Sequence, residues 1–242
     1  MFSVYRKEIN VFFSSLTGYL VIGVFLLSIS LFMWVFPDTS VLNYNFATLD
    51  QLFSIAPLVF LFLIPAITMR SISAEKSKGT MELLFTKPLT VNDIILGKYL
   101  ANFTLVVFSL LPTLIYYYSI YQLGSPKGNL DSGAIIGSYI GLFFLGGAFV
   151  SIGMFSSACS NNEIVAFILG AFLCFVFHWA FLYFSSLPVF SSSLNLIVQK
   201  FGINYHYTSI SKGLIDTRDI VYFISVIVIF LLSTIMVIEH RK

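Results

Sequence analysis

LFSIAPLVFLFLIPAITM at residues 52–69 and YLANFTLVVFSLLPTLIYYYSIYQL at residues 99–123 enclose a stretch of different character, RSISAEKSKGTMELLFTKPLTVNDIILGK, at residues 70–98. The two flanks carry no charge. A helix rises 1.5 Å per residue, so crossing a ~30 Å hydrocarbon core takes about 20 apolar residues. Each flank is therefore the length of a membrane span, and the polar stretch is a connection between two spans. The same reading along the chain gives spans at residues 18–36, 52–69, 99–123, 134–157, 164–184 and 220–238. A β-barrel would instead show alternating segments of about ten residues, which are absent.

Composition agrees. Of 242 residues 58% are hydrophobic and 10% charged, where a soluble domain carries roughly 25% charged residues. Mean hydropathy is +0.93. The expectation is an all-α integral membrane protein, one transmembrane domain over residues 1–242. A net charge of +2 without a Lys/Arg cluster gives no footprint for nucleic acid. Cys159 and Cys174 have no partner at metal-ligand spacing and read as two thiols. The apolar run after Arg6 and Lys7 is too long for a signal-peptide core and Pro37-Asp38-Thr39-Ser40 follows it, so it reads as an uncleaved anchor.

Orientation follows from Lys and Arg. With the N-terminus in the cytoplasm, nine of the 13 fall inside: Arg6, Lys7, Arg70, Lys76, Lys78, Lys87, Lys98, Arg241 and Lys242. Lys127, Lys200, Lys212 and Arg218 fall outside. Both termini are expected in the cytoplasm. Trp34 and the Tyr116–Tyr118 and Tyr121 group sit near outer span ends, where an aromatic belt belongs. Residues 2–16 place Phe2, Tyr5, Ile9, Phe12 and Leu16 on one helical face, which predicts an interfacial helix. The plainer alternative is a continuation of the first span; Ser14, Ser15, Thr17 and Gly18 argue for a break.

Within residues 70–98, Gly79 breaks one helix, and Thr80 can cap the next by accepting a backbone N–H. Met81, Leu83, Leu84 and Phe85 make a short apolar surface around Glu82, and Pro88 ends it. Thr90 with Asp93 offers a second cap. The pattern predicts a short transverse helix at the cytoplasmic membrane surface, a lever whose displacement passes to both spans. A solvated linker is the plainer reading, but it needs neither caps nor a proline stop.

The order Glu75-Lys76, Gly79-Thr80, Glu82-Leu83-Leu84, Pro88 and Gly97-Lys98 resembles the coupling region of type-two ABC exporter permeases. Residues 207–222, YTSISKGLIDTRDIVY, are similar to the outer-loop-to-last-span signature of the same family. Within it the chain looks most like the gliding-motility permeases of the GldF type. The resemblance implies a permease subunit of an ATP-driven exporter in the bacterial inner (plasma) membrane. It implies that a pair of separate ATPase subunits, carrying ATP and magnesium, docks on Glu75, Lys76, Gly79, Thr80, Glu82, Leu83, Leu84 and Pro88. A second permease chain, identical or related, would complete the pathway among membrane lipid. No Gly-x-x-x-x-Gly-Lys-Ser/Thr phosphate loop occurs, and Gly97-Lys98 is followed by Tyr99, so this chain supplies no motor of that kind.

Residues 185–219 are long for a connection. Leu194, Ile197, Val198 and Phe201 recur at helical steps. They predict an amphipathic helix dipping into the outer leaflet, packed on protein. The family resemblance implies the same element as a lid, so these four residues stand as a candidate outer gate. A surface helix without a gating role fits the sequence equally. Gly137-x-x-x-Gly141 in the fourth span is a close-packing pattern. His178, inside the fifth span, is either a candidate intramembrane polar site or a neutral histidine hydrogen-bonded across helices. Glu163 suits the N-terminus of that span as a cap. Pro57, Pro65 and Pro112 interrupt their spans.

Three functions compete. The first is a transport permease. The second is a membrane scaffold that relays ATPase work without moving cargo. The third is an intramembrane enzyme using His178, for which neither a Gly-x-Ser-x nucleophile nor a His-Glu-x-x-His zinc pattern is present. The leading reading assigns the chain no catalytic residue, metal or cofactor of its own.

Overall fold

Ser15 divides the N-terminal region. Its backbone is extended (φ −105°, ψ 156°), so α1 (Phe2–Ser14) stops there and α2 (Leu16–Ser30) starts in a new direction. The computed structural model describes residues 1–43, 46–85, 89–186 and 192–240, and no strand occurs among them. After α2 and a π-turn at Leu31–Val35 come α3 (Asp50–Ser77), α4 (Thr80–Phe85) and α5 (Val91–Leu110). Pro112 lies in a tight turn at Leu111–Thr113 that separates α5 from α6 (Leu114–Leu123). Then follow α7 (Ser132–Cys159), α8 (Glu163–Phe175), a π-turn at Val176–Ala180 and α9 (Phe181–Ser185). Finally come α10 (Ser192–Lys200), α11 (Ile203–Ser211) and α12 (Thr217–Glu239).

Six helical stretches are long and apolar enough to cross a membrane: Leu16–Val35, Asp50–Ser77, Val91–Leu123, Ser132–Cys159, Glu163–Ser185 and Thr217–Glu239. They match the six expected spans. As the Gly79 break and the Thr90 cap predict, the polar connection is mostly helix: α3 runs to Ser77 and α5 begins at Val91. Ser71, Ile72 and Ser73 on one side and Val91, Ile94 and Ile95 on the other are buried, so packing continues past the apolar runs.

Glycine puts α7 at the centre. Between membrane helices there is no hydrophobic drive, so close backbone approach and polar contacts decide the packing. A Cβ on Gly153 would lie 2.1 Å from Thr68 of α3, and one on Gly146 would lie 2.8 Å from Val106 of α5. Accordingly 72% of α7's apolar window is buried, against 22% in each of α2 and α12, which leaves those two peripheral. The Ser157 hydroxyl of α7 enters the α3 ladder: it accepts from the N–H groups of Ile72 and Ser73 at 3.0 Å and donates to the Met69 carbonyl at 2.8 Å. A side chain inserted this way is a point at which a helix bends.

The amphipathic helix expected beyond the fifth span forms as α10, but the face expected to pack on protein is largely exposed. Ile197 and Phe201 are exposed and Val198 is half-buried; the Leu194 side chain lies outside the described residues. The helix that inserts is α11, with Ile203, His206, Tyr207 and Ile210 buried. Gly137 and Gly141 of α7 receive it: a Cβ on Gly137 would meet the Ile210 carbonyl at 2.4 Å, and one on Gly141 the Tyr207 ring at 3.1 Å. The Tyr207 hydroxyl donates to the Phe53 carbonyl at 2.6 Å, tying α11 to the start of α3. The Gly-x-x-x-Gly pair thus receives a short non-spanning helix.

Candidate functional site

Gly79 sets the geometry of α4. It follows the C-cap of α3 with φ +67°, a conformation that costs other L-residues roughly 1–2 kcal/mol. Its N–H reaches the Lys76 carbonyl at 3.2 Å, and the Thr80 hydroxyl donates to the Glu75 carbonyl at 3.3 Å. Carbonyls left open at a helix end are thereby satisfied. The Thr80 hydroxyl thus helps to close α3. Met81 is buried and Glu82 is exposed. Pro88 and the side chains of Leu83 and Leu84 lie outside the described residues. At the far side the Thr90 cap forms: the Asp93 N–H donates to Thr90 Oγ1 at 3.2 Å and the Thr90 N–H to Asp93 Oδ2 at 3.4 Å, restarting the chain as α5.

Behind α4 lies a buried lysine. Lys98, with a side chain 3% exposed, points its ammonium at Glu75 Oε1 of α3 (2.8 Å), the Ser71 carbonyl (2.8 Å) and Glu8 Oε1 of α1 (3.2 Å). An ammonium has three N–H donors, and all three are used. Lys7 flanks both carboxylates at 3.6 and 3.8 Å, so two cations face two anions. Asn102, one turn on, donates to Ser71 Oγ at 3.2 Å and to the Lys98 carbonyl at 2.8 Å. Gly97 admits α1: a Cβ there would meet the Met1 carbonyl and Val4 Cβ at 2.9 Å. Three helices are thus joined at the base of α4 by one compensated charge group. Burial of charge is tolerated only when it is paired and hydrogen-bonded in this way.

Residues 35–239 match the ABC-2 family of transporter proteins. The chain belongs to that family. It is the membrane permease component of an ABC transporter, the component that is not itself the ATPase. No curated protein matches the chain.

In this ABC-2 permease the residues singled out in the connection part company. Glu75 turns inward to Lys98. The Lys76 ammonium donates to the Ala158 carbonyl at the C-terminus of α7, where a cation suits the helix dipole. Lys78, Gly79 and Glu82 remain exposed. Glu8 was not singled out, although Val4, Glu8 and Phe12 recur at steps of four and place it on the face that meets α5. Glu163 is not the cap of α8. Asn162 takes that place, its side chain accepting from the N–H groups of Ile164 and Val165. Glu163 instead binds Arg70 Nε at 2.9 Å. Arg70 is 60% exposed, and solvent-screened pairs contribute about 0.2–1 kcal/mol. Arg70→Gln in the permease will therefore lower stability by less than about 1 kcal/mol in a mixed-micelle unfolding titration.

His178 occupies the π-turn of the fifth span and is 1% exposed. Its Nε2 meets the Asn204 amide of α11 at 3.4 Å, and the Phe149 and Trp179 rings pack edge-on against it. That is the geometry of a cross-helix hydrogen bond inside an aromatic cage.

Proposed function

We propose that this permease is driven by a separate pair of ATPase subunits bearing on α4 from the cytoplasm, and that two permease chains together form an export pathway. One observation carries the reading. The six-residue α4 is held between the ends of two span helices, and those ends are fastened to each other and to α1 by the buried Lys98 group. A push on α4 then moves α1, α3 and α5 together, because bending any one of them alone would separate a buried charge from its partner. The excess of Lys and Arg on this side supports a cytoplasmic location, which in a bacterium is the inner-membrane face. The sequence pattern favours a gliding-motility setting.

The test is co-purification of the intact permease in mild detergent. Glu82→Lys reverses the exposed charge on α4, and Gly79→Pro imposes φ near −65° where +67° is required. Both variants are expected to insert and remain monodisperse while losing the co-purifying ATPase. Undiminished ATPase recovery with both would refute docking on α4.

A further inference from the structure

His206 is held on both edges of its ring. Nε2 lies 2.9 Å from the Lys200 carbonyl oxygen, and Nδ1 lies 2.7 Å from Asp219 Oδ1. A carbonyl only accepts, so Nε2 carries a hydrogen. Nδ1 then meets the carboxyl group in one of two ways. Either Nδ1 is protonated too and an imidazolium faces a carboxylate, or Nδ1 accepts from a protonated Asp219. These differ only in where one proton rests. In both, the pair holds one proton more than a neutral histidine beside an ionised aspartate.

Removing that proton breaks the arrangement. A neutral imidazole has a single N–H. Placed on Nε2, it leaves the Nδ1 lone pair facing the carboxylate; placed on Nδ1, it leaves the Nε2 lone pair facing the carbonyl. One contact must become repulsive. The bond to the ionised carboxylate is the stronger, so the Lys200 contact is the one lost.

We propose that His206 and Asp219 form a proton-binding site that clasps the end of α10 to α11 and the start of α12, and that release of the proton gives up the Lys200 contact and loosens the end of α10. His206 and Asp219 are 8% and 5% exposed. The Tyr222 ring stacks on the imidazole with centroids 3.9 Å apart, a placement that attracts a cation. The Tyr222 hydroxyl donates to the Phe201 carbonyl at 2.6 Å, a second tie to the same turn. Asp219 Oδ2 is buried and has no hydrogen-bond partner among the described residues, so the contact of Oδ1 with Nδ1 is the one the carboxyl group makes there.

The other ionisable groups nearby are few. Tyr205 packs edge-on from α11 itself, and His178 reaches α11 through Asn204. Tyr139 of α7 is engaged with Thr113. Asp216 caps α12 through the Arg218 N–H, and Lys200 is exposed. The clasp lies at the opposite end of the bundle from Lys98. With α4 cytoplasmic, as proposed above, it senses protons outside the cell.

The test uses the intact permease in lipid nanodiscs. The chain has 3 histidines, so ¹⁵N-histidine spectra are assigned with His178→Gln and His240→Gln variants. The expected result is a His206 ring with both nitrogens protonated, or with one protonated nitrogen together with a carboxylic-acid infrared band that disappears in Asp219→Asn. A singly protonated ring beside an ionised Asp219 throughout the range from about pH 5 to about pH 9 would overturn the site, as would a pair that never titrates there overturn proton release. Hydrogen exchange over residues 192–203 tests the mechanical half. With intrinsic base catalysis divided out, wild type is expected to lose protection in α10 as the pair deprotonates. Asp219→Asn can donate to Nδ1 of a neutral ring while Nε2–H keeps Lys200, so its α10 stays protected at every pH. An equal loss in both proteins would rule out the coupling, and His206→Gln supplies the permanently unclasped reference.

Discussion

Lys98→Met will destabilise the permease by about 3–5 kcal/mol, the cost of leaving buried charge without its partner. Methionine fills nearly the same space, so the loss is electrostatic and not one of packing. Glu8 and Glu75, each with a side chain 15% exposed, are left facing each other with only the exposed Lys7 at 3.6 and 3.8 Å to compensate. The Ser71 carbonyl loses its donor as well. Unfolding titrations in mixed micelles measure the effect. The combined variant Glu8→Gln, Glu75→Gln, Lys98→Met is expected to recover most of it, since removing all the charges together avoids an unpaired ion. A single variant as stable as wild type would show that the clamp contributes nothing. A combined variant no better than the single one would show that Lys98 acts through shape. If the clamp transmits load, the combined variant also separates stability from coupling: it folds, yet moves α1 independently of α3 and α5.

Gly137→Ala will dislodge α11 from α7. The added Cβ would sit 2.4 Å from the Ile210 carbonyl oxygen and 2.9 Å from Gly213 Cα. Both are backbone atoms, and Gly213 is itself fixed at φ +81° in the turn that ends α11, so no side-chain rotation makes room. Overpacking of this kind costs about 1–3 kcal/mol, and it acts on a helix held also by the Tyr207 bond to Phe53, the Ser138 bond to the Ser211 carbonyl, the Asn204 contact with His178 and the His206 clasp. Hydrogen exchange over residues 203–211 should rise while α3 and α5 stay protected. Gly141→Ala meets the Tyr207 ring at 3.1 Å, which can give by a few tenths of an ångström, and Ile210 Cγ2 at an ordinary 3.7 Å, and should be milder. Gly23→Ala meets nothing within 4 Å and serves as the control; in a helix interior alanine gains about 0.5–1 kcal/mol over glycine. Equal exchange in the Gly137 and Gly23 variants would show that α11 does not depend on this approach.

What was legible in the sequence was local. Six spans follow from runs of apolar residues long enough to satisfy every backbone group within one helix in a medium without water. The break at Ser15, the left-handed turn at Gly79 and the Thr90–Asp93 cap depend on residues a few positions apart, so their chemistry appears in order along the chain. What was not legible is the burial of Arg70–Ser77 and Val91–Lys98, whose polar residues lie on helices with buried faces, because burial is set by neighbours distant in sequence.

Only the tertiary structure decided the pairings. Glu8 and Lys98 are 90 residues apart, and nothing near either one names the other. Both α10 and α11 carry apolar residues at helical spacing; which of them inserts was settled by Gly137 and Gly141, on a helix more than 60 residues earlier. The sequence alone determined that this chain crosses a membrane six times with a short helix at one face. Which charges are buried together, and which outer helix is packed, depended on long-range approach of backbones, because in lipid the contacts that discriminate between partners are close packing and paired polar groups, not the apolar character that every span shares.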